Sequence, residues 1–239
     1  MTELTDLFFA TVVEWGLALS AEQTAQFARY QALLLEWNQR LNLTAVREPQ
    51  AIQIRHFLDA LSCARVMGEM NGRALIDVGT GAGFPGLPLK ILYPDLRLTL
   101  VESIAKKAAF LEVVVNELGL TAVTVLPERA EQVGQQPAHR EQYDWAVGRA
   151  VADLRVLAEY LLPLCRVNGS MLAQKGEAAL AEIEVAQTAV ATLGGGTPKV
   201  HTVQLPRHDR LHYLVVIPKV GLTPSRYPRR TGMPGKRPL

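Results

Sequence analysis

The chain has 239 residues, 49% hydrophobic and 20% charged, which suits a soluble globular protein with one core domain and an extension, or two small domains. No apolar run reaches the ~18 residues that a membrane helix needs, and the acidic start Met1-Thr-Glu-Leu-Thr-Asp6 lacks a signal peptide's basic region, so the cytoplasm is the expected compartment. The net charge of +2 hides an asymmetry: residues 218–239 hold six basic side chains (Lys219, Arg226, Arg229, Arg230, Lys236, Arg237) and no acidic ones, so the rest of the chain is net acidic. A basic, Pro-rich tail on an acidic body points to a polyanion contact or to a solvated tail.

The first third reads as helical. Leu4, Leu7, Phe8, Val12, Trp15 and Leu19 recur at three- and four-residue steps, and Ser20-Ala-Glu-Gln23 is a capping box opening a second helix to Leu41. Asn38 and Asn42 interrupt good helix formers. Arg47-Glu-Pro49 is expected to start a third helix that carries Arg55, His56, Phe57 and Asp59 and ends at Asn71-Gly72. His56 and Asp59 stand three apart, either as a substrate contact or as an ordinary surface pair. No further His, Cys or carboxylate stands at metal-ligand spacing, so no metal is expected. Cys63 and Cys165 lie far apart without a CxxC pattern and read as buried thiols.

From Arg73 strands and helices alternate, which predicts an α/β domain with a parallel sheet covered on both faces. The first strand, 74–78, carries Asp77 and breaks into Gly79, Gly81, Gly83 and Gly86. Such a turn lets a ligand lie against bare backbone. Gly81-Ala-Gly83-Phe-Pro-Gly86 also satisfies the dinucleotide pattern. Asp77 argues the other way, because a carboxylate before the first glycine suits a cationic sulfonium better than a pyrophosphate, favouring S-adenosylmethionine over NAD.

The second strand ends at Glu102, 25 residues after Asp77, near the offset at which nucleotide-binding units place an acid on ribose hydroxyls. Strands at 123–126, 143–147 and 169–173 follow, with helices at 106–118, 154–164 and 177–193; Val200–Leu205 and His212–Ile217 read as an antiparallel pair at the sheet edge. The strand ends deliver Ala130, Glu131, Arg149 and Lys175 to one edge. Arg149 and Lys175 could bind a carboxylate or phosphate there, or be tied up with Glu131 or Glu177.

These residues resemble the bacterial ribosomal RNA small-subunit methyltransferase G family, once called glucose-inhibited division protein B, from about Leu33 to the C-terminus. The resemblance rests on Trp37-Asn38…Asn42-Leu-Thr44, Arg55-His56…Asp59, Asp77-Val-Gly-Thr-Gly-Ala-Gly-Phe-Pro-Gly86, Gly148-Arg149-Ala150, Lys175-Gly176 and Tyr227-Pro-Arg-Arg-x-Gly-x-Pro-x-Lys. It implies a class I methyltransferase fold, Rossmann-like with a mostly parallel seven-stranded sheet, and a helical N-terminal extension (1–72), a cofactor-binding domain (73–218) and a basic tail (219–239). The implied activity is methyl transfer from S-adenosylmethionine to N7 of one guanine in 16S rRNA. Carried over by motif, Gly79 and Phe84 would contact the cofactor, Glu102 would take its ribose, Ser103 and Ile104 would flank the adenine, Ala130 and Glu131 would sit at its edge, and Arg149 would close the site. Asp77, Gly81 and Gly83 would complete the cofactor turn. Asn42, His56 and Lys175 are RNA-side candidates, with Arg149 and Lys175 the catalytic ones.

Guanine N7 has a free lone pair, so no general base is required, consistent with a chain lacking a nucleophilic triad pattern. A methyltransferase for another substrate, an NAD-dependent oxidoreductase and a non-catalytic rRNA-binding factor stay open on the residues alone. The partner expected is small-subunit rRNA or the ribosomal subunit, with no membrane contact and a monomeric protein.

Overall fold

The structure, a computed structural model, describes residues 4–149 and 152–239. Ala150 of the Gly148-Arg149-Ala150 motif lies outside the described residues.

Two helices open the chain: α1 (Asp6–Glu14) and α2 (Ala21–Leu41). The capping box is present, with Ser20 and Gln23 satisfying each other's backbone amides. Gln23 has a second use, donating from Nε2 to Ile91 O and Leu92 O at 2.8 and 3.0 Å, while Gln26 donates to Leu118 O at 2.9 Å. One turn of α2 thus satisfies carbonyls that two later helices leave open at their C-terminal ends. The expected third helix is a broken one. Glu48 caps α3 (Pro49–Ile52), a π-helical segment (Gln53–Leu58) follows, and α4 (Asp59–Leu61) and α5 (Ala64–Met67) complete it. π-turns inside helices are frequent at functional positions, and this one carries Arg55 and His56.

Strands β1 (Ala74–Val78), β2 (Arg97–Val101), β3 (Val123–Leu126), β4 (Tyr143–Arg149) and β5 (Cys165–Lys175) alternate with α6 (Gly86–Leu92), α7 (Ala105–Glu117), α8 (Ala130–Val133) and α9 (Leu154–Leu161). Then come α10 (Ala179–Thr192), β6 (Lys199–Gln204), β7 (Leu211–Pro218) and α11 (Met233–Lys236). The seven-stranded sheet runs β3-β2-β1-β4-β5-β7-β6, parallel except at β7, which is antiparallel to both neighbours. β7 therefore inserts between β5 and β6.

Alternation along each strand divides two apolar layers. Leu75, Leu98, Leu100, Val147, Leu172, Leu214 and Val216 face the layer that contains Phe8, Phe27, Tyr30, Phe57 and Phe110. Ile76, Val78, Ala146, Met171, Ala173, Val215 and Ile217 face the layer built with α9 and α10. The N-terminal helices thus share a core with the sheet. Tyr30 on α2 donates to Ala82 O and stacks on Phe84 at 5.4 Å, fastening the extension to the glycine turn.

The tail departs from the reading of it as a basic arm. Lys219 is buried, donates to Leu162 O and Leu193 O at 2.8 and 3.2 Å, and pairs with Glu141 at 3.3 Å. Arg229 forks onto the buried carboxylate of Glu159, with bonds of 2.6 to 3.1 Å. Arg140 clamps the tail by donating to Thr223 O and Tyr227 O, both at 2.7 Å. Two charges that look free in a sequence are internal here, because carbonyls of the core and the carboxylates of Glu141 and Glu159 absorb them. Arg226, Arg230, Lys236 and Arg237 remain exposed. Cys63 and Cys165 are buried and unpaired with each other.

Candidate active site

The strand end of β1 sets up the glycine turn through Asp77. Its Oδ2 accepts from Thr80 Oγ1 at 2.7 Å and from Gly86 N at 2.8 Å, so the carboxylate ties the turn to the start of α6. Asp77 is fully buried, its Oδ1 has no hydrogen-bond partner among the described residues, and burial pushes its pKa up to about 6. It lines neither of the clefts described below. In the structure Asp77, expected to hold a cationic ligand, shapes the turn from behind the clefts. Gly83 and Gly86 serve the same packing: a Cβ on Gly83 would come within 2.3 Å of Leu87 Cδ1, and one on Gly86 within 2.7 Å of Leu100 Cδ2.

Glu102 follows β2 and also organises backbone. Oε2 accepts from Gly81 N at 3.1 Å and Oε1 from Ile104 N at 2.8 Å. Its carboxylate borders a cleft of about 300 Å³, walled by Val78, Gly79, Val101, Ala130, Val156 and Tyr160, and bordered also by Ser103, Glu128, Glu131 and Gly235. Val101, Ala130 and Val156 beside the Glu102 carboxylate give this cleft both apolar surface for a base and an acid for a ribose diol, a lining that fits an adenosine moiety. Gly79, Glu102, Ser103, Ala130 and Glu131 come together here as expected. Phe84 does not, being buried between Tyr30 and His56; the Ile104 side chain is 51% exposed and also stands outside this cleft.

A second cavity, about 660 Å³, lies where β4, β5 and β7 meet the π-helical segment. Arg55, Arg149, Lys175 and Arg210 outnumber the acids Asp59 and Glu177 in its lining, which also holds His56, His208 and His212. Asp59 is its hub. Asp59 Oδ2 accepts from Arg149 at 3.0 Å, Oδ1 meets His212 Nδ1 at 2.9 Å, and Gln174 Nε2 donates to the Asp59 carbonyl at 2.8 Å. Burial works to raise the Asp59 pKa, but the His212 hydrogen bond and the Arg149 charge outweigh it and hold the carboxyl below its usual range. Arg149 also sits over the Phe84 ring, 4.9 Å from its centre, so its position is set by an ion pair and a cation–π contact together. Its partner is therefore neither Glu131 nor Glu177.

Lys175 differs from Arg149. Its ammonium pairs with Glu182 at 2.6 Å and donates to Ala152 O, with only 8% of the side chain exposed. Those bonds bind the approach to α9 to α10 and leave Lys175 a wall of the cavity rather than a free cation. Ala152 lines the adenosine-sized cleft, so the two cavities adjoin, with Arg149 in one and Ala152 in the other.

A family model described as GidB, rRNA small subunit methyltransferase G, matches residues 23–211. The chain belongs to that methyltransferase G family. It is 53% identical over 234 residues to "Ribosomal RNA small subunit methyltransferase G" of Roseiflexus castenholzii, covering 98% of this chain and 99% of the relative. The protein of the same name from Chloroflexus aggregans is 50% identical over 233 residues, covering 98% and 97%. Among solved structures, a SAM-dependent O-methyltransferase from Thermotoga maritima aligns with a TM-score of 0.53 at 14% identity, over 80% of this chain and 72% of that one. Geranyl diphosphate methyltransferase in complex with SAM aligns at 0.54 and 13% identity, over 69% and 85%. The fold is that of the class I methyltransferases.

In this methyltransferase G chain the asparagine motif has a structural reading. Asn38 clamps Thr44 through both backbone groups at 2.9 Å, and Asn42 closes α2 in the left-handed region at φ 48°. Thr44 Oγ1 then meets His56 Nε2 at 2.7 Å, while His56 Nδ1 faces Arg55 O at 2.9 Å, which assigns the ring proton to Nδ1. Burial and the charge of Arg149 lower the His56 pKa to about 4, so the ring is neutral. Residue spacing does not signal Gln174 or His212: His212 meets Asp59 across 153 residues of chain.

Proposed function

We propose that this protein methylates N7 of one guanine in 16S rRNA, with S-adenosylmethionine as donor, acting in the cytoplasm as a monomer on rRNA or the small subunit. Membership of the methyltransferase G family carries the reading. The adjoining clefts support it: one suits an adenosine, and its neighbour is basic and wide enough for a nucleotide. Among the described residues no helix is long and apolar enough to cross a membrane.

The bound cofactor supplies an electrophilic methyl group on a sulfonium. Gly79, Glu102, Ser103, Ala130 and Glu131 would hold its nucleoside end. The acceptor N7 carries its lone pair in the neutral base, so the protein supplies position and charge rather than a proton acceptor. Arg149, fixed by Asp59 and Phe84, closes the acceptor side beside the cofactor. Asp59 stays ionised there and offsets part of the positive charge that methylation places on the base. Arg55 and Arg210 present exposed cations at the cavity for RNA phosphates.

The test is transfer of labelled methyl to small subunits purified from cells that lack this methylation, followed by mapping of 7-methylguanine. One labelled guanine in the rRNA is the expected result. Labelling of another base, or none with cofactor binding intact, would overturn the substrate assignment.

A further inference from the structure

The C-terminal segment bridges two walls of the adenosine-sized cleft. On the α8 side, Gly232 N donates to Glu131 Oε1 at 2.8 Å, and Gln135 Nε2 donates to Pro228 O at 2.7 Å. Gly134, at the end of α8, leaves room for the tail, since a Cβ there would come within 2.7 Å of Pro228 Cγ. On the α9 side, Glu159 receives Arg229 through its backbone amide at 2.8 Å and through the guanidinium fork. Val156 and Tyr160, flanking Glu159 on the same helix, line the cleft, and so does Gly235 of the tail. The Tyr160 hydroxyl reaches Glu131 at 3.5 Å, so both walls and the tail converge on one carboxylate that is 6% exposed. Gly232 reaches Glu131 from a φ of +79°, a conformation that favours glycine.

We propose that residues 229–239 form a wall of the cofactor pocket, latched by the Arg229–Glu159 pair, and set its width by tying α8 to α9. The proposal rests on the cofactor assignment above. A segment that spans two walls of a cleft stiffens it, and a ligand that fills the cleft stabilises the docked tail in return. A tail with four exposed cations thus serves the cofactor side of the reaction, whatever it does toward RNA.

S-adenosylhomocysteine is the probe. Calorimetry on the full chain and on a chain ending at Thr231 should show at least about tenfold weaker binding for the shorter one, because Glu131 loses its Gly232 partner and the pocket loses Gly235. Arg229→Gln in the full chain should weaken binding in the same direction. In the native protein, saturating S-adenosylhomocysteine should slow tryptic cleavage after Arg230 and Lys236, a readout that needs no variant to fold. Affinity within twofold of native in the shortened chain, or tail cleavage indifferent to the ligand, would overturn the proposal alone. No binding by the native chain would overturn the cofactor assignment and this inference with it.

Discussion

His56 gives a quantitative test of how the acceptor side is built. In the fold its ring stacks on Phe84 at 4.9 Å, and burial together with the charge of Arg149 lowers its pKa from 6.5 to about 4. The unfolded chain therefore binds a proton at a pH where the folded chain does not. The stability contributed by the neutral ring is fully present above pH 6.5 and is lost as pH falls toward 4. The difference corresponds to about 3 kcal/mol in all, of which roughly 2 kcal/mol is lost by pH 5. His56→Gln keeps an acceptor for Thr44 without a titrating group. Urea unfolding of both proteins between pH 7.5 and pH 5 should show the native protein losing roughly 2 kcal/mol relative to H56Q over that interval. Taking the difference removes every other titrating group that the two share. Parallel pH profiles would refute the claim that His56 is held neutral.

Other consequences follow from the same contacts. Arg149→Ala should cut methyl transfer by about a hundredfold or more, and near-normal turnover would sink the role given to Arg149. The same change should cost about 1–3 kcal/mol in urea unfolding, less than a sealed pair, because the Arg149 side chain is 19% exposed and His212 stays on Asp59. Asp77 titrates in the opposite sense to His56: its raised pKa means that the native protein loses up to about 3 kcal/mol relative to D77N as pH rises from 4 through 6. A constant gap between the two in urea unfolding would contradict burial as the cause of its raised pKa. Lys219→Met should cost about 2–4 kcal/mol of stability and leave the salt dependence of RNA binding unchanged. Arg230→Ala, by contrast, should leave stability within about 0.5 kcal/mol and lower the salt slope by roughly one unit, measured by filter binding across ionic strengths.

Much of the sheet was legible because strand signals are local. The apolar runs of the first and third strands match the residues they occupy, 74–78 and 123–126, since those runs end at turn residues. The apolar signal of the fifth covers only 169–173 of Cys165–Lys175, because polar Arg166, Asn168 and Ser170 blur it. The placement of β7 between β5 and β6 depends on pairing between distant segments, which periodicity does not encode.

At the site, Glu102 is legible from its place at a strand end, whereas Gly79, Ser103, Ala130 and Glu131 are singled out by the family resemblance; the structure gathers all five at one cleft. What the sequence by itself determined is the family, the α/β plan and the edge at which the strands end: glycine spacing, strand-end carboxylates and apolar alternation are local patterns with few physical solutions. Only the tertiary structure decided which charges are free. Asp77 and Lys219 are sealed, Lys175 and Arg229 are bound to Glu182 and Glu159, and Asp59 joins Arg149 to His212. A charge's partner is set by distances across the folded core, and those distances exist only once the two apolar layers have closed on the sheet.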